Sequence, residues 1–225
     1  MHYEIKGDNL PVVICHTEEN ETIICQNGGM SWMSSNMEME TSGSAAGGFF
    51  SRMVSGENVF VNKYTSRHGK GLLAVASRFP GAIKAVRITE DNPVIVQKMG
   101  FLACTEGVQM SAVVNKLGTG LFGGEGFIMQ KLYGDGMAFV ELDGAVVEYD
   151  LGPQDAVVID TGHLAMLDVS CELEIQSVKG MKNKLLGGEG LFNTVVKGPG
   201  KVVLQTMPIS GLVKVLRPFF PTSSN

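Results

Sequence analysis

The chain matches itself three times. Gly124-Glu125-Gly126-Phe127-Ile128 recurs 64 residues later as Gly188-Glu189-Gly190-Leu191-Phe192, and in weaker form 68 residues earlier as Gly56-Glu57-Asn58-Val59-Phe60. After each block an apolar run reaches a glycine-spaced turn (Gly69-Lys70-Gly71, Gly134-Asp135-Gly136, Gly198-Pro199-Gly200) and a second apolar run follows. Gly81-Ala82-Ile83 and Gly144-Ala145-Val146 match again 63 apart, each opening a run that ends in an acidic, proline-containing turn. A fixed period of this kind marks a fold made from one supersecondary unit used several times, in which a unit cannot hide its apolar face alone.

Inside each unit the apolar residues alternate over four to eight positions between Gly, Pro, Asn and Asp, which is the pattern of strands. Over Cys171 to Val178, Glu172, Glu174 and Gln176 are expected to face water while Leu173, Ile175 and Ser177 face inward. Met137 to Leu142, Val146 to Leu151, Val157 to Asp160 and Val202 to Met207 read the same way. Helical windows are few: a turn or two over Ala45 to Val54, and a short terminal helix over Gly211 to Leu216 that Pro218 stops. Parallel α/β folds need crossovers of about ten or more residues, usually helices, and the glycine-dense connections leave no room for them. The expectation is an all-β fold: three similar β units (approximately 1–78, 79–142 and 143–208) in one sandwich- or barrel-like domain, with a C-terminal tail over 209–225. Such small units would bury too little surface to stand alone.

Charge removes one class of function. Eighteen Lys and Arg against 23 Asp and Glu leave a net charge of −5, and the densest basic stretch is only Lys179, Lys182 and Lys184. A nucleic-acid binder concentrates basic residues to release counterions, so no nucleic acid is expected as a partner. Cys15, Cys25, Cys104 and Cys171 form no C-x-x-C pair and sit beside apolar neighbours, as buried thiols in a reducing compartment do. Met1 to Asp8 carries Glu4 and Asp8 and no apolar run, unlike a signal or transit segment, and no run approaches 18 apolar residues. A cytoplasmic location is expected.

No cluster specifies a reaction. His2, His16, His68 and His163 are never nearer than 14 residues, so H-x-H and H-E-x-x-H metal pairs, and the close histidine pair of cupin-like oxygenases, are missing. Cys15 and His16 are adjacent and therefore point to opposite faces of a strand. Gly118-Thr119-Gly120-Leu121-Phe122-Gly123 has the letters of a dinucleotide fingerprint but precedes more glycine and a strand, where the fingerprint needs a helix. The reading calls for no cofactor, no metal and no enzyme.

Two features remain as candidate sites. Glu57, Glu125 and Glu189 occupy equivalent places beside glycines: each caps its own turn, or the three converge near one axis as a cation or small-ligand pocket. Phe49, Phe50, Leu121, Phe122, Leu185 and Leu186 lie inside glycine-rich connections, where they either fold back on the core or form a contact surface for another subunit or a membrane.

Gly29-Met30-Ser31-Trp32-Met33, the repeated Gly-Glu-Gly blocks and Gln205-Thr206-Met207-Pro208 resemble the family named for altered inheritance of mitochondria, protein 24, along nearly the whole chain. The resemblance implies an all-β fold of three units similar to the tryptophan RNA-binding attenuation protein, of double-stranded β-helix type, assembled as a trimeric ring of nine units. Mitochondrial members support cristae-organising complexes; without a presequence this chain resembles the bacterial members. The resulting expectation is a non-enzymatic homo-oligomeric scaffold, with a peripheral membrane or a protein as further partner. A small-ligand or cation-binding module on the Gly-Glu-Gly loops is the alternative.

Overall fold

A computed structural model describes residues 1–42, 61–113, 128–177 and 192–220. The strands among them are β1 (His2–Lys6), β2 (Val12–Thr17), β3 (Thr22–Gln26), β4 (Trp32–Met33), β5 (Met37–Ser42), β6 (Val61–Ser66), β7 (Gly71–Ala76), β8 (Gly81–Ile88), β9 (Val94–Gln97), β10 (Phe101–Thr105), β11 (Val108–Val113), β12 (Met129–Gly134), β13 (Gly136–Asp143), β14 (Val146–Leu151), β15 (Ala156–Asp160), β16 (Leu164–Asp168), β17 (Glu172–Ser177), β18 (Phe192–Lys197) and β19 (Gly200–Gln205). One α-helix, α1 (Ile209–Leu216), follows. The chain is mostly β, as the alternation requires. Among the described residues no barrel closes: the sheets are open and end in edge strands, which corrects the barrel half of the expectation. The expected turn over Ala45 to Val54 lies outside the described residues.

The chain divides into two compact units, Met1–Leu142 and Asp143–Asn225. In the first, strands run in the orders β1-β2-β7-β4 and β5-β6-β3-β10-β13-β8, and β11-β12-β9 belong to a further sheet. Its core gathers Val13, Cys15, Ile23, Cys25, Tyr64, Leu73, Leu102 and Phe139, with Tyr3 set edge-on to Phe139 at 5.1 Å between ring centroids. These side chains come from alternate positions of strands whose partners present the same face, as in Tyr3 opposite Cys15 and Cys15 opposite Leu73. Each fully buried aliphatic residue contributes about 1.5–3 kcal/mol.

In the second unit β19 lies between β16 and β14, and β18 between β15 and β17. Its buried residues include Ile159, Leu164, Met166, Val196, Val202 and Val203. On β17 the glutamates Glu172 and Glu174 and Gln176 are exposed while Leu173 and Ile175 are half-buried, the alternation the sequence implies. Strands β10 and β16 each follow a single 3-10 turn, Lys98–Gly100 and Thr161–His163, and each carries a register shift at its start.

Three side chains pin the glycine-spaced turns. Leu72 N–H donates to Ser34 Oγ at 2.9 Å, Met137 N–H to Thr105 Oγ1 at 3.0 Å, and Lys201 N–H to an Asp168 carboxylate oxygen at 2.7 Å. The preceding residues Gly71, Gly136 and Gly200 have no room for a Cβ: it would strike Met37 and Ser66, Thr105, and Cys171 and Ser170 respectively.

Candidate interaction surface

Strand β3 sits between β6 and β10, and Ile23, Ile24 and Cys25 are all 0% exposed. Strand β15, Ala-Val-Val-Ile-Asp, is equally apolar but, among the described residues, pairs only with β18 and ends its sheet. Val158 is 65% exposed there. Natural edge strands are protected by lysine, proline or bulges; β15 contains no lysine or proline. At the other extreme β4, among the described residues, pairs only with β7 and also ends its sheet, leaving Trp32 48% exposed. Two residues do not hold a strand by length. Serines on either side hold it instead: Ser31 N–H donates to Ala74 O and Ser34 N–H to Leu72 O, both at 2.9 Å, and Ser31 Oγ accepts from Ala76 N–H.

A third uncovered apolar region is α1 with the 3-10 turn Arg217–Phe219 that carries Pro218. Ile209, Val213, Val215, Leu216, Phe219 and Phe220 are all exposed, Phe219 by 81%. An eight-residue helix containing Gly211 and two valines is too short and too poor in helix formers to persist without packing, and in this chain only Gly211 and Leu212 are half-buried. Lys214 and Arg217 are its charged residues. Among the described residues no helix is long and apolar enough to cross a membrane.

The thiols, Glu141 and His163 are tied into structure. All four cysteines are free thiols and buried. Burial pushes the Cys15 and Cys25 thiols up to about 12 and raises Cys104 and Cys171 too, so the nucleophilic thiolate is suppressed. Glu141 is buried and fully occupied: it accepts from Ser77 Oγ at 2.7 Å, from the backbone N–H groups of Arg78 and Phe79, and from the Arg78 guanidinium at 2.9 and 3.1 Å. His163 Nδ1 lies 2.7 Å from Gln205 O.

A family model described as mitochondrial biogenesis AIM24 matches residues 3–207. The chain belongs to that family. An uncharacterised Streptococcus pyogenes serotype M6 protein is 28% identical to it, over 96% of this chain and 89% of that one. A crystal structure of a Streptococcus pyogenes protein, 22% identical, superposes with a TM-score of 0.81 over 97% of this chain and 99% of the other, a likeness of fold. Among the described residues the AIM24 match runs from Tyr3 in β1 to beyond β19 and stops before α1, so the exposed apolar helix is additional to the matched region.

The expected carboxylates Glu57, Glu125 and Glu189 lie outside the described residues, and so do Phe49, Phe50, Leu121, Phe122, Leu185 and Leu186. Sequence spacing also missed one cluster. His2 and His16 are direct partners across the β1–β2 hairpin, seven residues on either side of Asn9, and Glu4 joins them. The signal was the turn-rich Gly7-Asp8-Asn9-Leu10-Pro11 stretch: once it is read as a hairpin, residues equidistant from it must meet.

Proposed function

We propose that the chain is a non-enzymatic assembly protein whose copies join head to tail through the sheet edges at β4 and β15, with a closed trimer as the particle. The pairing order supports this. In the set β2 to β7 the first strand pairs with the sixth, the second and fourth with the fifth, and the third with the sixth. The sets β8 to β13 and β14 to β19 have the same pairings, and the three pinned glycine turns fall at one place in each. On this reading each set is one copy of a six-strand unit.

The observation that carries the proposal is a pair of sheet edges that have no second partner strand among the described residues. The second strand of the first set, β3, pairs with the third strand of the next, β10, through Ala103 opposite Cys25 and Cys104 opposite Ile24. The second strand of the last set, β15, and the third strand of the first, β4, each end a sheet. A neighbouring copy supplies for each the partner that β3 and β10 supply for one another. Such a contact joins unlike patches, and it makes a ring when the rotation closes.

Sedimentation velocity of the full chain tests it. The expected particle is three copies of 24.1 kDa, about 72 kDa. Val158→Lys and Trp32→Lys, both at exposed positions, place a charge on one edge each and are expected to give folded 24.1 kDa monomers. A monomeric natural chain at micromolar concentration, or a Val158→Lys chain that still assembles, overturns the proposal.

A second reading concerns α1. Six exposed apolar residues with Lys214 and Arg217, and no acidic residue between 209 and 220, suit the surface of an anionic bilayer. Flotation with vesicles containing phosphatidylglycerol is expected to carry the natural chain and to leave Phe219→Asp/Phe220→Asp behind; equal flotation of both chains contradicts it.

A further inference from the structure

Strand β1 ends the sheet β1-β2-β7-β4 at the side away from β4. Its inner face is apolar, with Tyr3 packed on the core. Its outer face carries His2, Glu4 and Lys6, and the register sets His2 opposite His16 and Glu4 opposite Ile14. A strand that needs only an apolar inner face gains nothing from two imidazoles set opposite one another, their rings tilted by 40° with centroids 5.6 Å apart. His16 Nε2 is 3.0 Å from Glu4 Oε1, and one donor atom from each of His2, Glu4 and His16 lies within 4.8 Å of the other two.

We infer that His2, Glu4 and His16 form a surface site for a divalent transition-metal ion of the zinc class, and that the ion fastens the edge strand β1 to β2. Zinc takes imidazole nitrogen and carboxylate oxygen at about 2.0–2.2 Å, so tetrahedral ligands stand about 3.3 Å apart. Small side-chain rotations at exposed or half-exposed positions close the remaining distance. Two imidazoles and one carboxylate suit zinc, copper, nickel and iron(II), whereas calcium and magnesium prefer oxygen-rich sets. Three protein ligands leave one position for water.

Lys6 prepares the carboxylate. Its Nζ holds Glu4 Oε2 at 3.0 Å, which turns Oε1 toward the imidazole. Lys6 is thus a positioning residue. The site does not involve β4 or β15 and stands whether or not copies assemble.

Calorimetric titration of the metal-stripped full chain with zinc chloride tests the inference. One zinc per chain is expected, with affinity reduced about 100-fold in His16→Gln and in Glu4→Gln, less in Lys6→Ala, and unchanged in His68→Asn. Zinc is also expected to shift the imidazole nitrogen resonances of His2 and His16 and not those of His68 or His163, and to raise the melting temperature of the natural chain only. Circular dichroism establishes that each variant is folded; His2→Gln replaces any that is not. No uptake at about 100 μM zinc, or uptake unaltered in the folded His16→Gln or His2→Gln chain, overturns it.

Discussion

Strands β3 and β15 are alike in sequence character and in partner: one reads Thr-Ile-Ile-Cys-Gln and pairs with β6, the other Ala-Val-Val-Ile-Asp and pairs with β18. Four of five residues are buried in β3 and one of five in β15. The difference is the second neighbour. β10 lies against β3, and β15 ends its sheet. An apolar strand does not bury itself; the strand beside it and the layer over it do so. An exposed apolar edge without lysine or proline is a template on which another strand can pair, and the proposed assembly uses it so.

The largest test of this contrast is in the covered strand. Ile23→Ala removes a side chain with 0% exposure and is expected to cost about 3 kcal/mol in urea unfolding. A cost below 1 kcal/mol would mean that β3 is no better covered than β15. Next is Glu141→Ala, expected at about 2–3 kcal/mol because two backbone N–H groups and the Arg78 guanidinium lose their acceptor. Arg78 remains within reach of water, which sets the value at the low end.

The thiols make the contrast pH-dependent. Cys15 and Cys25 have folded values of about 12 against 9.0 for the free thiol. Their stabilisation is complete below pH 9 and is lost as pH rises from 9 through 12, because the unfolded chain releases the proton first. At pH 10 the loss is about 1.4 kcal/mol per thiol. Urea midpoints measured from pH 8 to 11 are expected to fall along that curve, and to fall less steeply in Cys25→Ala.

Smaller effects sharpen the comparison between units. Thr105→Val in the first unit and Asp168→Ala in the second each remove the acceptor of one turn N–H, and each is expected to cost about 1 kcal/mol. Unequal costs would mean that the two turns are not one device used twice. Smallest is Val158→Ala. In a dilute monomer it is expected to change stability by less than about 0.5 kcal/mol, and in the assembled particle by more, with a midpoint that depends on protein concentration.

Much of the fold was legible because period-two alternation and glycine turns act locally. Val146 to Leu151 coincides with β14, and Val157 to Asp160 falls within β15. The terminal helix begins two residues before the expected Gly211, since Pro208 sits at its N-cap. What alternation cannot give is the neighbour of each strand: β3 and β15 read alike, and only pairing distinguishes the covered one. The His2–His16 meeting was hidden for the same reason, as a hairpin brings together residues that a search for closely spaced histidines treats as unrelated. The Gly-Glu-Gly blocks, which carry the clearest repeat in the sequence, lie outside the described residues.

Amide-resolved hydrogen exchange across β15 tests the central claim most directly. In an assembled particle the amides of Val157, Val158 and Ile159 are all expected to be protected, as in β3, because strands lie on both sides. Protection of alternate amides only, with the others exchanging as fast as a solvated edge, would leave β15 a true edge and contradict the account.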